Sequence, residues 1–252
     1  MPYARLSSYY FFHFAALGAL VPYWGPYLLE RGFEPTAIGA LMAILMGTKI
    51  LAPNVWGWLA DRAGARMPSV RLGALLAVLG LVPVFWAGRF WTMAAVMAVF
   101  SFFWNAPLPL MEAVTFNHLG TRASRYASVR VWGSIGFIVT VLLLGWWQEH
   151  AGSGVVPLAV LALFIGVWAS CLVIPDRSQA QAEQAHLSLR TLLARPEILA
   201  FLAACLLMQA SHGAYYAFYS IHLQAHGYSD TAVGALWALG VAIEVLVFVN
   251  MH

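Results

Sequence analysis

Two charged residues lie inside long apolar stretches of this sequence, at equivalent positions of an internal repeat. Lys49, the only lysine in the chain, and Glu244 are 195 residues apart, and the stretch from Thr36 to Ala43 recurs at the same offset with six of eight positions identical. An ionisable group in an apolar span costs about 2.5–3.5 kcal/mol and usually marks an ion or substrate pathway. We interpret Glu244 as a proton-binding carboxyl with Lys49 as its counter-charge. A structural salt bridge between the two would explain both charges as well.

Three further groups of polar and aromatic residues have spacings that place each group on one helix face. The groups are Asn105 with Glu112; Arg130 with Ser134 and Phe137; and Gln209 with His212, Tyr216 and Tyr219. If these faces point inward, they line a cavity for a small molecule. The structural alternative is that Glu112 and Arg130 form an ion pair at the ends of their helices.

The composition indicates the elements that position these residues. Of 252 residues, 62% are hydrophobic and only 9% are charged, whereas a soluble domain carries roughly 25% charged residues. Apolar runs of about 20 residues mark membrane-spanning helices. We therefore predict an all-α integral membrane protein with eight spans, at about 7–29, 36–60, 69–88, 90–116, 129–148, 155–174, 197–224 and 231–251.

Arginines are distributed unequally between the loops that join these spans. Only Arg31 and Arg89 lie in the odd-numbered loops, and ten lie at the N-terminus or near the even-numbered loops: Arg5, Arg62, Arg66, Arg71, Arg122, Arg125, Arg130, Arg177, Arg190 and Arg195. Positive residues stay on the cytoplasmic side. This predicts a multi-pass protein of a bacterial-type inner membrane with a cytoplasmic N-terminus. Since the basic residues lie in loops, they do not indicate nucleic-acid binding.

The repeat and the polar stretches define the predicted domains. A six-helix half covers 1–175, a cytoplasmic linker covers 176–196, and the repeat begins again in 197–252 with only two spans. A transporter built from two similar halves would leave such a repeat. We therefore expect a second half that lacks about four helices, unless a second chain supplies them.

A loop motif between spans two and three carries a family resemblance. The stretch Gly57-Trp58-Leu59-Ala60-Asp61-Arg62-Ala63-Gly64-Ala65-Arg66 resembles the G-x-L-A-D-[RK]-x-G-[RK]-[RK] motif of the major facilitator superfamily, with Ala65 where a basic residue is usual. The resemblance implies a gating role for Gly57, Asp61, Arg62, Gly64 and Arg66 when the cytoplasmic side closes. The alternative is a set of cytoplasmic arginines around an ordinary turn.

Other segments resemble the branch of lactose and nucleoside proton symporters, and spans seven and eight resemble its 3-phenylpropionate permease group. The segments are 18–24, 105–113, 126–137, 209–216 and 240–244. In the lactose-permease branch, residues matching Glu112 and Arg130 bracket the sugar, a tryptophan matching Phe137 stacks on it, and an acid matching Glu244 couples transport to protons. Val247 replaces an asparagine of that branch, which counts against a galactoside-specific site.

The resemblance and the residues together imply a secondary transporter rather than an enzyme. We expect a proton symporter for a small organic substrate, with an aromatic carboxylate such as 3-phenylpropionate favoured and a sugar or nucleoside as the alternative. The site residues expected to bind substrate are Asn105, Glu112, Arg130, Phe137, Gln209, His212 and Tyr216. The sequence has no G-x-x-x-x-G-K-[ST] loop for ATP and no metal-ligand spacing, so we expect no cofactor beyond the proton gradient. A transport-inactive bundle that acts only by association is the alternative from another class.

Overall fold

The computed structural model describes residues 2–177 and 195–250, in which every regular element is helical. Most of the predicted linker 176–196 lies outside the described residues. The α-helices are α1 Tyr3–Glu30, α2 Pro35–Ala63, α3 Arg66–Leu81, α4 Phe90–Trp104, α5 Pro107–Leu119, α6 Tyr126–Ala151, α7 Val155–Val173, α8 Pro196–Ala225 and α9 Asp230–Asn250. Short 3₁₀ segments, Val82–Trp86 and Gly120–Arg125, follow α3 and α5. The predicted all-α fold is confirmed.

The predicted fourth span, 90–116, is two helices rather than one. It breaks between α4 and α5 at Asn105 and Ala106, immediately before Pro107. Proline has no N–H to donate to the preceding turn, and its ring clashes with the carbonyl four residues earlier. Pro107 therefore begins α5 instead of continuing α4.

Six of the described segments are long and apolar enough to cross a membrane, with α4 to α6 counted together as Phe90–Ala151. Helix α1 is not among the six, because His13, two prolines and several tyrosines lower its mean hydropathy. It is nevertheless the central helix of the bundle, packed against α6, α7 and α8. Tyr9, Tyr10, Tyr23 and Trp24 on α1 are fully buried, so this helix faces protein on most sides.

Contacts between the turns show that the helices alternate in direction. At one end of the bundle, the Ser153 hydroxyl donates to Glu30, and the Thr231 backbone N–H donates to Glu149 Oε2 at 3.1 Å. At the other end, Arg5 and Arg71 donate to backbone carbonyls at the end of α7, over 2.9–3.2 Å. The arginine-rich turns and the N-terminus lie at this second end, as the loop pattern predicts for one side of a membrane.

The two predicted halves meet mainly where α9 packs along α6 and α8 packs against α1. Both contacts use a glycine at a close approach of two backbones. A Cβ added at Gly25 of α1 would lie 2.8 Å from the Ala217 carbonyl oxygen, and one added at Gly234 of α9 would overlap the Val141 carbonyl. Only glycine leaves room for these crossings.

Candidate functional site

A cavity of about 270 Å³ lies where the first half meets α8 and α9. Five helices contribute to its walls, so both halves of the repeat take part. Its lining combines three charged groups with aromatic rings: Phe14, Leu17, Val21, Met46, Lys49, Arg130, Ser134, Phe137, Gln209, Tyr216, Trp237, Val241 and Glu244. Concave sites with mostly apolar walls and a few polar groups are typical of small-molecule binding.

Helix α6 provides one wall through the face that its spacing predicts. Arg130, Ser134 and Phe137 all line the cavity. The Arg130 guanidinium carbon lies 3.6 Å from the centroid of the Phe14 ring, a cation–π contact that holds the half-buried side chain in place. Among the described residues no carboxylate is within 4.0 Å of it, so the alternative ion pair with Glu112 is not formed.

Lys49 of α2 and Glu244 of α9 line the same cavity. The repeat thus places its two charges in one site, although they come from different halves. In the part of the chain that the structure describes, neither forms an ion pair within 4.0 Å. The static salt bridge that would explain both charges structurally is absent from this conformation.

Helix α8 contributes Gln209 and Tyr216, and α9 contributes Trp237, a lining residue that sequence reasoning missed. The Trp237 ring is 5% exposed, and its Nε1 donates to the Ser220 hydroxyl at 2.9 Å. It stacks on Tyr216 at 6.3 Å and lies 6.4 Å from Phe137 across the boundary between halves. One feature of the sequence could have identified Trp237: it lies in the repeated stretch, at the position equivalent to Met42 in the first copy.

Three predicted substrate residues are not part of the cavity wall. Asn105 Nδ2 donates to Thr48 Oγ1 at 2.9 Å and so joins α4 to α2. Glu112 accepts the Tyr126 hydroxyl at 3.2 Å. His212 Nδ1 bonds to the Met208 carbonyl at 2.7 Å within its own helix, and its ring lies 5.5 Å from that of Tyr216.

The loop motif forms the turn from α2 to α3. Gly64 ends α2 with φ of 65°, a left-handed conformation that favours glycine, and its N–H donates to the Asp61 carbonyl at 3.3 Å. The Arg62 guanidinium lies 4.5 Å from the Trp58 ring. Gly57 has open space around it, and Arg66 begins α3.

The fold and the cavity between repeated halves define a multi-pass helical membrane protein of the major facilitator type. The sequence model of the MFS_1 like family matches residues 3–252. The chain belongs to this family, as the loop motif and the resembling segments predict.

Two named relatives and two solved structures are similar to the chain. It is 32% identical over 254 residues to the probable 3-phenylpropionic acid transporter of Escherichia coli (strain K12), across 96% of this chain and 65% of that protein. It is 32% identical over 154 residues to the maltose permease of Geobacillus stearothermophilus, across 59% of this chain and 38% of the permease.

The structures of the nucleoside transporter NupG and of its D323A mutant superpose with TM-scores of 0.85 and 0.84, at 18% and 17% identity. They cover 100% and 99% of this chain, which covers 67% of each of theirs. This likeness shows a shared fold. The chain thus spans about two thirds of the length of the 3-phenylpropionic acid transporter and of the NupG structures, and less of the maltose permease. The relatives are transporters and not enzymes, in agreement with the prediction from sequence.

Proposed function

We propose that this protein is a proton-coupled symporter for a small aromatic carboxylate such as 3-phenylpropionate. The observation that carries the proposal is the cavity between the halves, where Arg130, which has no carboxylate within 4.0 Å among the described residues, lies beside aromatic walls. The relative named as a probable 3-phenylpropionic acid transporter supports the same substrate class.

The walls of the cavity suit the two ends of such a substrate. Arg130 presents a planar set of N–H donors that matches a carboxylate. The rings of Phe137, Tyr216 and Trp237 line the same cavity, where edge-to-face or offset contacts would hold a phenyl group. Gln209 lies in the same wall and can orient the substrate by a hydrogen bond.

Asn105, Glu112 and His212 stay predictions as substrate residues. Each makes its contacts outside the cavity in this conformation. Helices of such transporters shift during alternating access, so a role for these side chains would require a second conformation. The same holds for the gating role of Gly57, Asp61, Arg62, Gly64 and Arg66, which depends on closure of the arginine-rich end.

Proton coupling is assigned to Glu244. It is the only acidic residue among the lining residues of the described cavity, and ionisable groups inside membrane spans mark ion pathways and proton relays. Lys49 supplies positive charge in the same cavity. Protonation of Glu244 together with substrate binding would favour the occluded state.

The deciding experiment is uptake of radiolabelled 3-phenylpropionate into proteoliposomes with and without an inward proton gradient. Wild type should accumulate substrate only with the gradient, and Glu244→Gln should lose accumulation while keeping exchange. Glu34→Gln, at the start of α2 outside the cavity, is the matched control and should behave as wild type. Gradient-independent accumulation by both proteins, or equal gradient-driven accumulation by wild type and Glu244→Gln, would reject the coupling role.

A sugar or nucleoside is the second candidate, since Ser134 and Gln209 offer neutral hydrogen-bonding groups in the cavity. The maltose permease and the NupG fold are consistent with this substrate class. The same vesicles should be tested with labelled maltose and uridine. No uptake of any of the three substrates by stably inserted protein would favour the association-only alternative.

We also propose that the end with the arginine-rich turns and the N-terminus faces the cytoplasm of a bacterial-type cell. Reporter fusions after Gly64 and after Gly227, in the α2–α3 and α8–α9 turns, test this orientation. A reporter active only in the cytoplasm should work at the first position and fail at the second. The reverse pattern would contradict the orientation.

A further inference from the structure

The charged groups of the cavity do not balance one another. Lys49 and Arg130 carry two positive charges and Glu244 carries one negative charge, so the described lining has one positive charge in excess. The fourth lining group that can titrate, Tyr216, is neutral near pH 7. An excess charge in a site that an apolar wall partly shields from water attracts an ion of the opposite sign.

In the part of the chain that the structure describes, no carboxylate lies within 4.0 Å of either cation. Arg130 is held by the face of the Phe14 ring, which leaves its N–H donors available to a ligand. Glu112 accepts a hydroxyl from Tyr126 instead of pairing with Arg130. Lys49 has no carboxylate within 4.0 Å among the described residues.

We propose that Lys49 and Arg130 form a two-cation site that selects a monovalent anion, with Glu244 setting the accepted charge. Lys49 is then a specificity-determining residue for the substrate and not only the counter-charge of Glu244. This inference rests on the proposed function, because it names the charge of the substrate that the cavity takes.

The charge count makes a distinct prediction for each variant. A monocarboxylate that binds while Glu244 is still ionised, before the protonation that favours the occluded state, brings the lining to neutrality. Glu244→Gln leaves two positive charges in excess and should shift selectivity towards a dianion. Lys49→Gln leaves no excess and should remove most of the preference for an anion over a neutral analogue.

Three labelled ligands with the same phenyl and propyl skeleton provide the test: 3-phenylpropionate, its amide, and benzylmalonate, which adds a second carboxylate. Binding is measured by equilibrium dialysis to the full chain in nanodiscs, at a pH where both malonate carboxyls are ionised. Wild type should bind 3-phenylpropionate most tightly. Lys49→Gln should lower the ratio of its affinity to that of the amide about tenfold or more, since the amide feels the lost charge weakly.

Glu244→Gln should raise the affinity for benzylmalonate relative to 3-phenylpropionate by a similar factor. Arg125→Gln, an exposed change outside the cavity, should leave both ratios at the wild-type value. Because each result is a ratio of ligands on one variant, partial loss of folded protein does not affect it.

The outcomes separate the two proposals. If wild type binds none of the three ligands, the proposed substrate class fails. If wild type binds 3-phenylpropionate but Lys49→Gln weakens all three ligands equally or changes neither ratio, the two-cation site is wrong and the proposed function stands.

Discussion

Gly234 allows α9 to cross α6 at backbone contact, and replacing it with alanine should separate the two halves at this point. An added Cβ would overlap the Val141 carbonyl oxygen and lie 2.5 Å from the Tyr23 hydroxyl. These two atoms are already joined, because the Tyr23 hydroxyl donates to the Val141 carbonyl at 2.6 Å in the buried interior. Neither can move aside without weakening that bond.

The size of the effect follows from three contributions. Overpacking a close contact costs about 1–3 kcal/mol, and disturbing the buried hydrogen bond costs about 0.5–1.5 kcal/mol. The higher helix propensity of alanine returns about 1 kcal/mol. We therefore expect Gly234→Ala to lower the free energy of unfolding by about 1–3 kcal/mol.

The control is Gly240→Ala in the same helix, where an added Cβ has nothing within 4 Å. It should keep only the propensity gain, so its stability should equal or exceed wild type by up to about 1 kcal/mol. Both variants are compared by reversible unfolding in mixed micelles, followed by circular dichroism. If Gly234→Ala proves as stable as Gly240→Ala, the close α6–α9 crossing is not a feature of the folded protein.

Three further changes test other parts of the fold by the same unfolding measurement. Arg71→Ala removes two charge-assisted hydrogen bonds to the end of α7 and should lower the free energy of unfolding by about 1–3 kcal/mol after allowance for partial exposure. The control is Arg122→Ala, at an exposed position, which should change the free energy of unfolding by less than about 0.5 kcal/mol. Tyr23→Phe keeps the ring but leaves the Val141 carbonyl without its donor, for an expected loss of about 1 kcal/mol; an unchanged midpoint would contradict the bond. Gly64→Ala places a Cβ on a residue with φ of 65° and should cost about 1–2 kcal/mol, and a neutral result would exclude the left-handed turn.

The sequence was sufficient for the fold class, the family and the outline of the site. Apolar length and low charge predict a bundle of spanning helices, and a constant offset between repeated stretches predicts that Lys49 and Glu244 occupy equivalent places. The structure brings both into one cavity with Arg130 and Phe137. Helical periodicity on α6 was informative because that helix is long and unbroken through these residues.

The other site residues could not be placed from the sequence, because their positions depend on packing between helices and not on spacing along one helix. Asn105 and Glu112 share a face only if one helix runs through both, and the break before Pro107 changes their relative direction. In the sequence, Trp237 looks like any aromatic residue of an apolar span. Its place in the site comes from ring contacts with Tyr216 and Phe137 on two other helices. His212 has the right spacing on α8, yet it bonds to its own helix.

Protection of a cavity thiol from alkylation shows whether substrate occupies the cavity between the halves. Val241→Cys places a thiol in the cavity lining, and Ala127→Cys places one at an exposed position of α6 outside it; both are made with Cys205 replaced by serine. We predict that 3-phenylpropionate slows alkylation of the thiol at 241 by at least about fivefold at saturation and leaves that at 127 unchanged. Unchanged alkylation at 241, in protein that still takes up 3-phenylpropionate, would contradict the account.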